Sequence, residues 1–518
     1  MSAPAMPENT PHQEPSIILS TLNARYIHAS MGLRYLLANM GSLQASTRLI
    51  EFNINTRVID IAENLLKNKP RIIGLGVYIW NATETLELLQ LLKTISPETI
   101  IVLGGPEVSY EYEDQLLVSH ADYLITGQAD IAFKQLCEDL IDGKKPVNKI
   151  IHPLPLELSE IELPYAYYND EDISNRVIYV EASRGCPFKC EFCLSSLDKT
   201  VYPFDLNLFL GEMEKLYTRG VRHFKFVDRT FNLKVDTSIR IMQFFLDKID
   251  ADNTNQLFLH FELIPDHLPE KLKSTIAQFP AGSLQFEIGI QSLNPDVQMI
   301  ISRKQNTKKV TDNLNWLRNN SEAHIHADLI MGLPGETIES FAQGLNQLYK
   351  MNPHEIQVGI LKRLKGTPII RHTVDYDMRY NPMPPYNIVS NTLITFDEMQ
   401  SLSRFARYWD LIINSGRFSN TKLILLEPIA FESFLSLSNW IFEKTGQTHK
   451  ISLERLFSLL YQGMVEELNM DIESVKECLL KDYELSGIKG DPKFLRKPLT
   501  LTDSTKRIRS SQRQMRHS

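Results

Sequence analysis

The sequence predicts an α/β protein with three parts: an N-terminal doubly wound parallel sheet, a central partial (β/α)6 barrel and a mostly helical C-terminal region. Two observations predict the sheets. Short apolar, β-branched runs alternate with helix-like stretches from Ser16 to about residue 145, and again from about Arg176 to His372. Strands that are apolar on both faces, with helices between them, form parallel sheets covered on both sides. A third observation sets the C-terminal region apart. From Phe396 to Leu480 the strand-like runs give way to helical periodicity.

Residues 1–15 are rich in Pro and polar residues, lack an apolar core and read as a disordered N-terminus rather than a secretory signal. In residues 16–145 the strand-like runs are 16–20, 71–77, 100–103 and 123–126, with helical stretches such as 81–93 between them. Ligands of such sheets sit at the carboxyl ends of the strands. Those ends carry Gly74-Leu75-Gly76, then Gly104-Gly105-Pro106-Glu107, then Gly127. Glycine lets a bulky ligand approach the backbone, so the ends read either as a nucleotide-sized site or as tight turns. Residues 146–175, with Pro153, Pro155, Pro164 and the acidic Asp170-Glu171-Asp172, read as a linker.

Residues 176–372 hold six further runs: 177–180, 223–227, 257–263, 284–290, 326–331 and 356–361. Six β/α units make a partial barrel, whose site lies at the C-terminal face of its strands. In residues 373–487 an irregular Tyr-, Met- and Pro-rich stretch, 376–386, precedes helices such as 399–414 and 453–468. The final stretch, 488–518, carries Lys506, Arg507, Arg509, Arg513 and Arg516. It reads as a solvated, disordered tail, with a nucleic-acid contact as the alternative.

The formal net charge of -8 argues against a polyanionic partner for the chain as a whole. No run approaches the ~20 apolar residues of a membrane span.

One loop carries the strongest chemical signal: Arg184-Gly185-Cys186-Pro187-Phe188-Lys189-Cys190-Glu191-Phe192-Cys193. Its cysteines are spaced C-x3-C-x2-C at the end of a strand-like run. Three such thiolates can hold three irons of a cubane cluster. No fourth cysteine stands at matching spacing, so one iron stays open to a ligand. A structural zinc site usually takes two C-x2-4-C pairs, and Cys137 and Cys478 stand alone. Free thiolates require a reducing compartment, which points to the cytoplasm.

The loop resembles the radical S-adenosylmethionine (SAM) superfamily. The resemblance implies a [4Fe-4S] cluster on Cys186, Cys190 and Cys193, whose open iron binds SAM and cleaves it to a 5'-deoxyadenosyl radical. Further strand-end motifs follow in the expected order. Phe192 stands where the family backbone meets the adenine. Asp228, in Asp228-Arg229-Thr230-Phe231-Asn232, resembles the residue facing the methionine moiety. Glu262 ends the third strand as a polar contact to SAM or substrate. Glu287-Ile288-Gly289-Ile290-Gln291-Ser292 resembles the segment that binds the ribose and carboxylate of SAM. Its best donors are Gln291 and Ser292. Arg303 matches a basic position that pairs with the SAM carboxylate, with a surface ion pair as the alternative. Asp328-Leu329-Ile330-Met331-Gly332-Leu333-Pro334-Gly335-Glu336-Thr337 matches the fifth-strand motif of the branch that includes anaerobic coproporphyrinogen oxidase, and its Gly332 lets backbone approach the adenine.

Residues 16–145, placed before such a core, are similar to the cobalamin-binding domain of the B12-binding radical SAM enzymes. The similarity rests on Gly74-Leu75-Gly76 to Trp80-Asn81 and on Gly104 to Glu107. It implies Gly76, Trp80, Gly104, Gly105, Pro106, Glu107 and Gly127 as cobalamin contacts. The family's Gly-Glu-Gly-Glu is replaced by Gly127-Gln128-Ala129-Asp130. His28 lacks the Asp and the correctly spaced Gly of a cobalt-binding motif, so it reads as a polar residue on an amphipathic helix. Cobalamin is then expected without a histidine beneath the cobalt. The C-terminal region is similar to an extension carried by some of these proteins.

The resemblance implies a cobalamin-dependent methylation of an unactivated carbon. Cobalamin-dependent rearrangement or cyclisation and a non-catalytic iron–sulfur redox role are the alternatives. The expected partners are a substrate of unknown class and a reductant such as flavodoxin or ferredoxin, with no membrane.

Overall fold

A computed structural model describes residues 16–252 and 257–495. The expectations for residues 1–15 and 496–518 lie outside the described residues. The chain forms two compact units, Met1–Met399 and Gln400–Ser518.

The first unit contains two six-stranded parallel sheets. The first sheet comprises β1 (Ile17–Asn23), β2 (Thr47–Asn53), β3 (Ile72–Gly76), β4 (Ile100–Gly104), β5 (Tyr123–Ile125) and β6 (Ile150–Ile151), in the order β2-β1-β3-β4-β5-β6. It is doubly wound because alternate residues of each strand feed opposite cores. Ile18, Ile73, Leu75, Ile101, Leu103 and Leu124 belong to one buried cluster. Ile17, Leu19, Ile72, Val102, Tyr123 and Ile125 belong to the other. The edge strands β2 and β6 extend the four strands read from the sequence. The stretch read as a linker supplies β6 and the helix Asp170–Asn175, which starts with a reciprocal cap between Asn169 and Asp172. Asp172 and Arg176 join Arg34 and Glu51 in a buried network. Arg34 lies 2.7 Å from Asp172 and 2.8 Å from Glu51, and Arg176 lies 3.1 Å from Glu51.

The second sheet comprises β7 (Ile178–Val180), β8 (His223–Phe226), β9 (Phe258–Leu263), β10 (Leu284–Gln291), β11 (His324–Met331) and β12 (Glu355–Ile360), in the order β12-β11-β10-β9-β8-β7. It is an open, partial barrel with β7 and β12 as its edges. Phe224, Phe226, Phe261 and Phe286 are fully buried on one face. The alternate residues are polar, and register aligns them: Lys225 with His260, Glu262 with Glu287, Glu287 with His326, and Gly289 with Asp328. The barrel is therefore apolar outside and polar inside. After β12, residues 373–395 remain in the first unit and include a short antiparallel ladder, Arg379–Tyr380 with Ile388–Ser390.

The second unit is helical. It begins within the helix Phe396–Ile412 and continues with Thr421–Leu425, Ala430–Thr445, Leu453–Glu466 and Ile472–Leu485. In its core Phe405 stacks on Trp409, and Phe434 meets both rings edge-on. Phe494, which the sequence reading put in the tail, is buried against Phe457 and Tyr483. No helix among the described residues is long and apolar enough to cross a membrane.

Candidate functional site

The cysteine loop leaves β7 through Ser183 and Arg184. Gly185 has φ +89, and a Cβ there would stand 1.9 Å from the Thr200 carbonyl oxygen, so only glycine fits the turn. Cys186 N–H donates to the Asp198 carbonyl at 3.2 Å, and Cys193 N–H to that of Cys190 at 3.1 Å. The buried Glu191 carboxylate holds the loop from behind. It accepts hydrogen bonds from Ser302, Arg371 and His372. All three cysteines are free thiols lining one cavity. Arg303 Nη1 lies 3.5 Å from Cys190 Sγ, and a second guanidinium, Arg229, lines the same cavity. Both guanidiniums set positive charge beside the cysteine loop, while burial pushes the Cys186 thiol up. Among the described residues no three His, Cys, Asp or Glu side chains converge on one metal position. A cubane takes its thiolates on separate irons and makes no such demand.

The cavity brings together Phe192, Glu262, Glu287, Gln291, Arg303 and Asp328 with the cysteines. Glu262 accepts from Arg229 at 2.7 Å. Glu287 bonds His260 at 2.9 Å and lies 3.6 Å from Lys225, and that hydrogen bond, with the nearby Lys225 charge, holds its carboxyl down at about 2. Asp328 has the opposite environment. Burial, with Glu287 and Glu262 nearby, pushes its carboxyl up to about 8. Gln291 has φ +71 at a register break between β10 and β11. Strained backbone of this kind clusters at functional sites. Gln291 Oε1, Asp328 Oδ1 and Gln305 Nε2 are buried without hydrogen-bond partners, as expected of groups awaiting a polar ligand.

Three residues read as SAM contacts stand outside the cavity lining. Asp228 accepts from Ser183 Oγ at 2.6 Å and Ala182 N–H at 3.0 Å, bracing the entry to the cysteine loop, and burial raises its carboxyl to about 7. Ser292 donates to the buried Glu336 at 2.8 Å. Gly332 makes room for Ile388, whose Cγ2 lies 2.6 Å from where a Cβ would stand.

A second cavity opens at the carboxyl ends of β3, β4 and β5. Gly76, Gly104, Gly105 and Gly127 form its rim, and Leu36, Val102, Ile125 and Phe133 its apolar wall. Gly105 has φ +107, and a Cβ there would meet the Val77 carbonyl oxygen at 2.4 Å. This cradle, apolar and free of side chains along three adjacent strand ends, suits a large flat cofactor with a nucleotide tail. Three residues read as contacts do not line it. Trp80 stacks on Tyr78, which does, with ring centroids 4.5 Å apart. Pro106 lies beyond the rim. Glu107 turns to the loop after β12 and pairs with Lys365 at 2.8 Å. His28 precedes the first helix rather than lying on it, and bonds Tyr179 Oη of β7 at 2.6 Å. It does not line this cavity.

The sequence reading missed Arg184, Tyr78, Lys225 and His260. Arg184 lines the second cavity, spans both oxygens of Asp130 at 3.0 and 3.1 Å, and reaches Glu181 at 2.8 Å. Its place beside the first cysteine was the available signal.

Comparison with known proteins agrees with this geometry. Residues 18–137 match the family of B12 binding domains, residues 180–348 the radical SAM superfamily, and residues 374–517 a family of unknown function, DUF4080. An uncharacterized methyltransferase of Pyrococcus horikoshii is 24% identical over 434 residues, covering 78% of this chain and 88% of its own length. The cobalamin-dependent radical SAM methyltransferase TokK of Streptomyces tokunonensis is 23% identical over 59% of this chain, which spans about half (49%) of TokK. The solved structure of the cobalamin-dependent SAM radical enzyme OxsB, with aqua-cobalamin and SAM bound, shares the fold with a TM-score of 0.63 at 13% identity, covering 93% of this chain and 82% of OxsB. The chain thus combines a B12-binding domain, a radical SAM domain and a C-terminal DUF4080 region.

Proposed function

We propose that the chain is a cobalamin-dependent radical SAM methyltransferase that methylates an unactivated carbon. One observation carries the reading. Two cavities lie each at the carboxyl ends of a parallel sheet, and Arg184, which lines one and pairs with its Asp130, stands two residues before Cys186, which lines the other. The names of the Pyrococcus relative and of TokK support methyl transfer, and the two domain matches support the cofactors.

Cys186, Cys190 and Cys193 would hold three irons of a [4Fe-4S] cluster, with Arg303 and Arg229 offsetting the thiolate charge. When bound, the cluster, SAM and cobalamin supply an adenosyl radical and a transferable methyl group. The remaining work falls to the chain. The Glu262–Arg229 pair and Arg303 would bind the amino-acid part of SAM. Gln291 and Asp328, each with a buried oxygen that makes no hydrogen bond, would hydrogen-bond its hydroxyl groups. Phe192 would pack at the adenine. Asp228, Ser292 and Glu191 would fix the loops that carry these groups. The glycine rim at Gly76, Gly104, Gly105 and Gly127 would cradle the corrin, and His28, bonded to Tyr179, would take no part in holding it. A reductant such as flavodoxin or ferredoxin would supply electrons in the cytoplasm.

Mass spectrometry of extracts from cells with and without the protein tests the reading. A metabolite, peptide or nucleotide heavier by one methylene supports methylation. Formation of 5'-deoxyadenosine with no S-adenosylhomocysteine and no methylated product would instead favour rearrangement.

A further inference from the structure

We propose that Glu107 and Glu111 are positioning residues that hold the cobalamin pocket across the open side of the barrel and so set its distance from the cluster. The proposal rests on the two-cofactor reading above.

The barrel sheet is open, with β7 and β12 as its edges. The first sheet is tied to the loops that follow both. On the β7 side, Asp130, which lines the pocket, takes Arg184 of the cysteine loop. On the β12 side, the loop after Gly104-Gly105 reaches residues 363–366. Glu107 Oε1 takes Lys365 Nζ at 2.8 Å and the Tyr386 hydroxyl at 2.6 Å, with its side chain 3% exposed. Glu111 Oε2 takes Arg363 Nη2 at 2.6 Å, and its Oε1 accepts the Gly366 N–H at 2.9 Å. Between them the Tyr110 ring lies directly on Gly366.

The loop is built to present these carboxylates. The Gln115 amide donates to the carbonyls of Glu107, Tyr110 and Glu111 at 3.2, 3.0 and 3.0 Å. Glu111 itself sits at φ +48, a conformation non-glycine residues rarely adopt. Glu111 is exposed, yet its strained backbone is held by a side-chain staple and both its carboxylate oxygens are used on the loop after β12, which indicates a fixed geometry. The pocket is thus gripped at two adjacent strand ends by the first and last units of the barrel.

The test uses the full chain loaded with iron–sulfur cluster and cobalamin. Iron and cobalamin content are measured first, then the magnetic coupling between reduced cluster and cob(II)alamin by pulsed electron paramagnetic resonance. Wild type should give one narrow distance distribution. Glu111→Arg and the double variant Glu107→Gln/Glu111→Gln should broaden or shift it at unchanged iron and cobalamin content. The exchanged pair Glu111→Arg/Arg363→Glu should recover the narrow distribution. Unchanged distributions in the variants would overturn the proposal. A wild-type chain that takes up no cobalamin would overturn the two-cofactor reading instead. The clamp would then be judged by hydrogen exchange of residues 361–366 in the unloaded chain, where Glu111→Arg must speed exchange and the exchanged pair restore it.

Discussion

The guanidinium of Arg184 spans both carboxylate oxygens of Asp130, at 3.0 and 3.1 Å, and so one side chain joins the B12-binding domain to the first turn of the cysteine loop. Asp130 is the fourth residue of Gly127-Gln128-Ala129-Asp130, the segment that departs from the expected Gly-Glu-Gly-Glu. The departure keeps a carboxylate where the ion pair needs one.

Arg184→Ala removes the shared partner of Asp130 and Glu181 and leaves both carboxylates buried. Breaking a buried pair from one side costs about 3–5 kcal/mol. The expected outcome of denaturant unfolding is a loss of that order for Arg184→Ala and a smaller loss for Asp130→Asn, which keeps a hydrogen-bonding amide. Equal stability of Arg184→Ala and wild type would contradict the ionic tie.

Gly104 and Gly105 should respond differently. A Cβ on Gly104 stands 3.6 Å from the Ile125 carbonyl oxygen, an ordinary contact, whereas one on Gly105 strikes Val77 at 2.4 Å. Gly104→Leu should fill the pocket and abolish cobalamin uptake with the iron content and melting temperature retained. Gly105→Leu should lower the melting temperature as well. Retained cobalamin in Gly104→Leu would move the site elsewhere.

Iron content after anaerobic reconstitution should fall sharply in Cys186→Ala, Cys190→Ala and Cys193→Ala. Cys137 is fully buried beneath the first sheet, its thiol pushed up to about 12 by burial, and Cys478 lies in the helical unit. Alanine at either should leave the iron in place.

Asp328 gives a pH signature. Its folded-state value, about 8, lies above the roughly 3.9 of an unfolded aspartate. The folded chain therefore binds the extra proton between those values, and its stability falls as pH rises through that window. Asp328→Asn carries no such proton. Its stability relative to wild type should climb with pH from about 4 to 8, by at most about 1.4 kcal/mol per pH unit. Chemical unfolding of both proteins at pH 5 and pH 8 checks this, and a difference independent of pH would refute it.

His28→Ala should leave the absorption spectrum of bound cobalamin unchanged, because His28 is engaged with Tyr179 at 2.6 Å and lies off the pocket lining.

Much of this architecture was legible in the sequence because central strands of parallel sheets are continuous apolar runs. The run Ile17–Asn23 is buried at every residue. β2 escaped because it is an edge strand, half-buried, with Arg48 and Glu51 interrupting its apolar residues. The cysteine loop and the Gln291 segment were legible because their chemistry is contiguous. Lys225 and His260 were not, since strand register alone sets them side by side near Glu287. Glu107 pairs with Lys365 and Gly332 packs against Ile388, contacts that the sequence did not reveal. Glycine and acid at a strand end look alike whether they face a ligand or a neighbouring loop, and only packing distinguishes the two.

The account stands most directly on the fate of SAM. Protein reconstituted with iron, sulfide and cobalamin should be reduced with dithionite, given SAM and analysed by chromatography. The account predicts 5'-deoxyadenosine, formed by wild type and lost in Cys190→Ala. Intact SAM recovered from wild-type protein carrying a full cluster would contradict it.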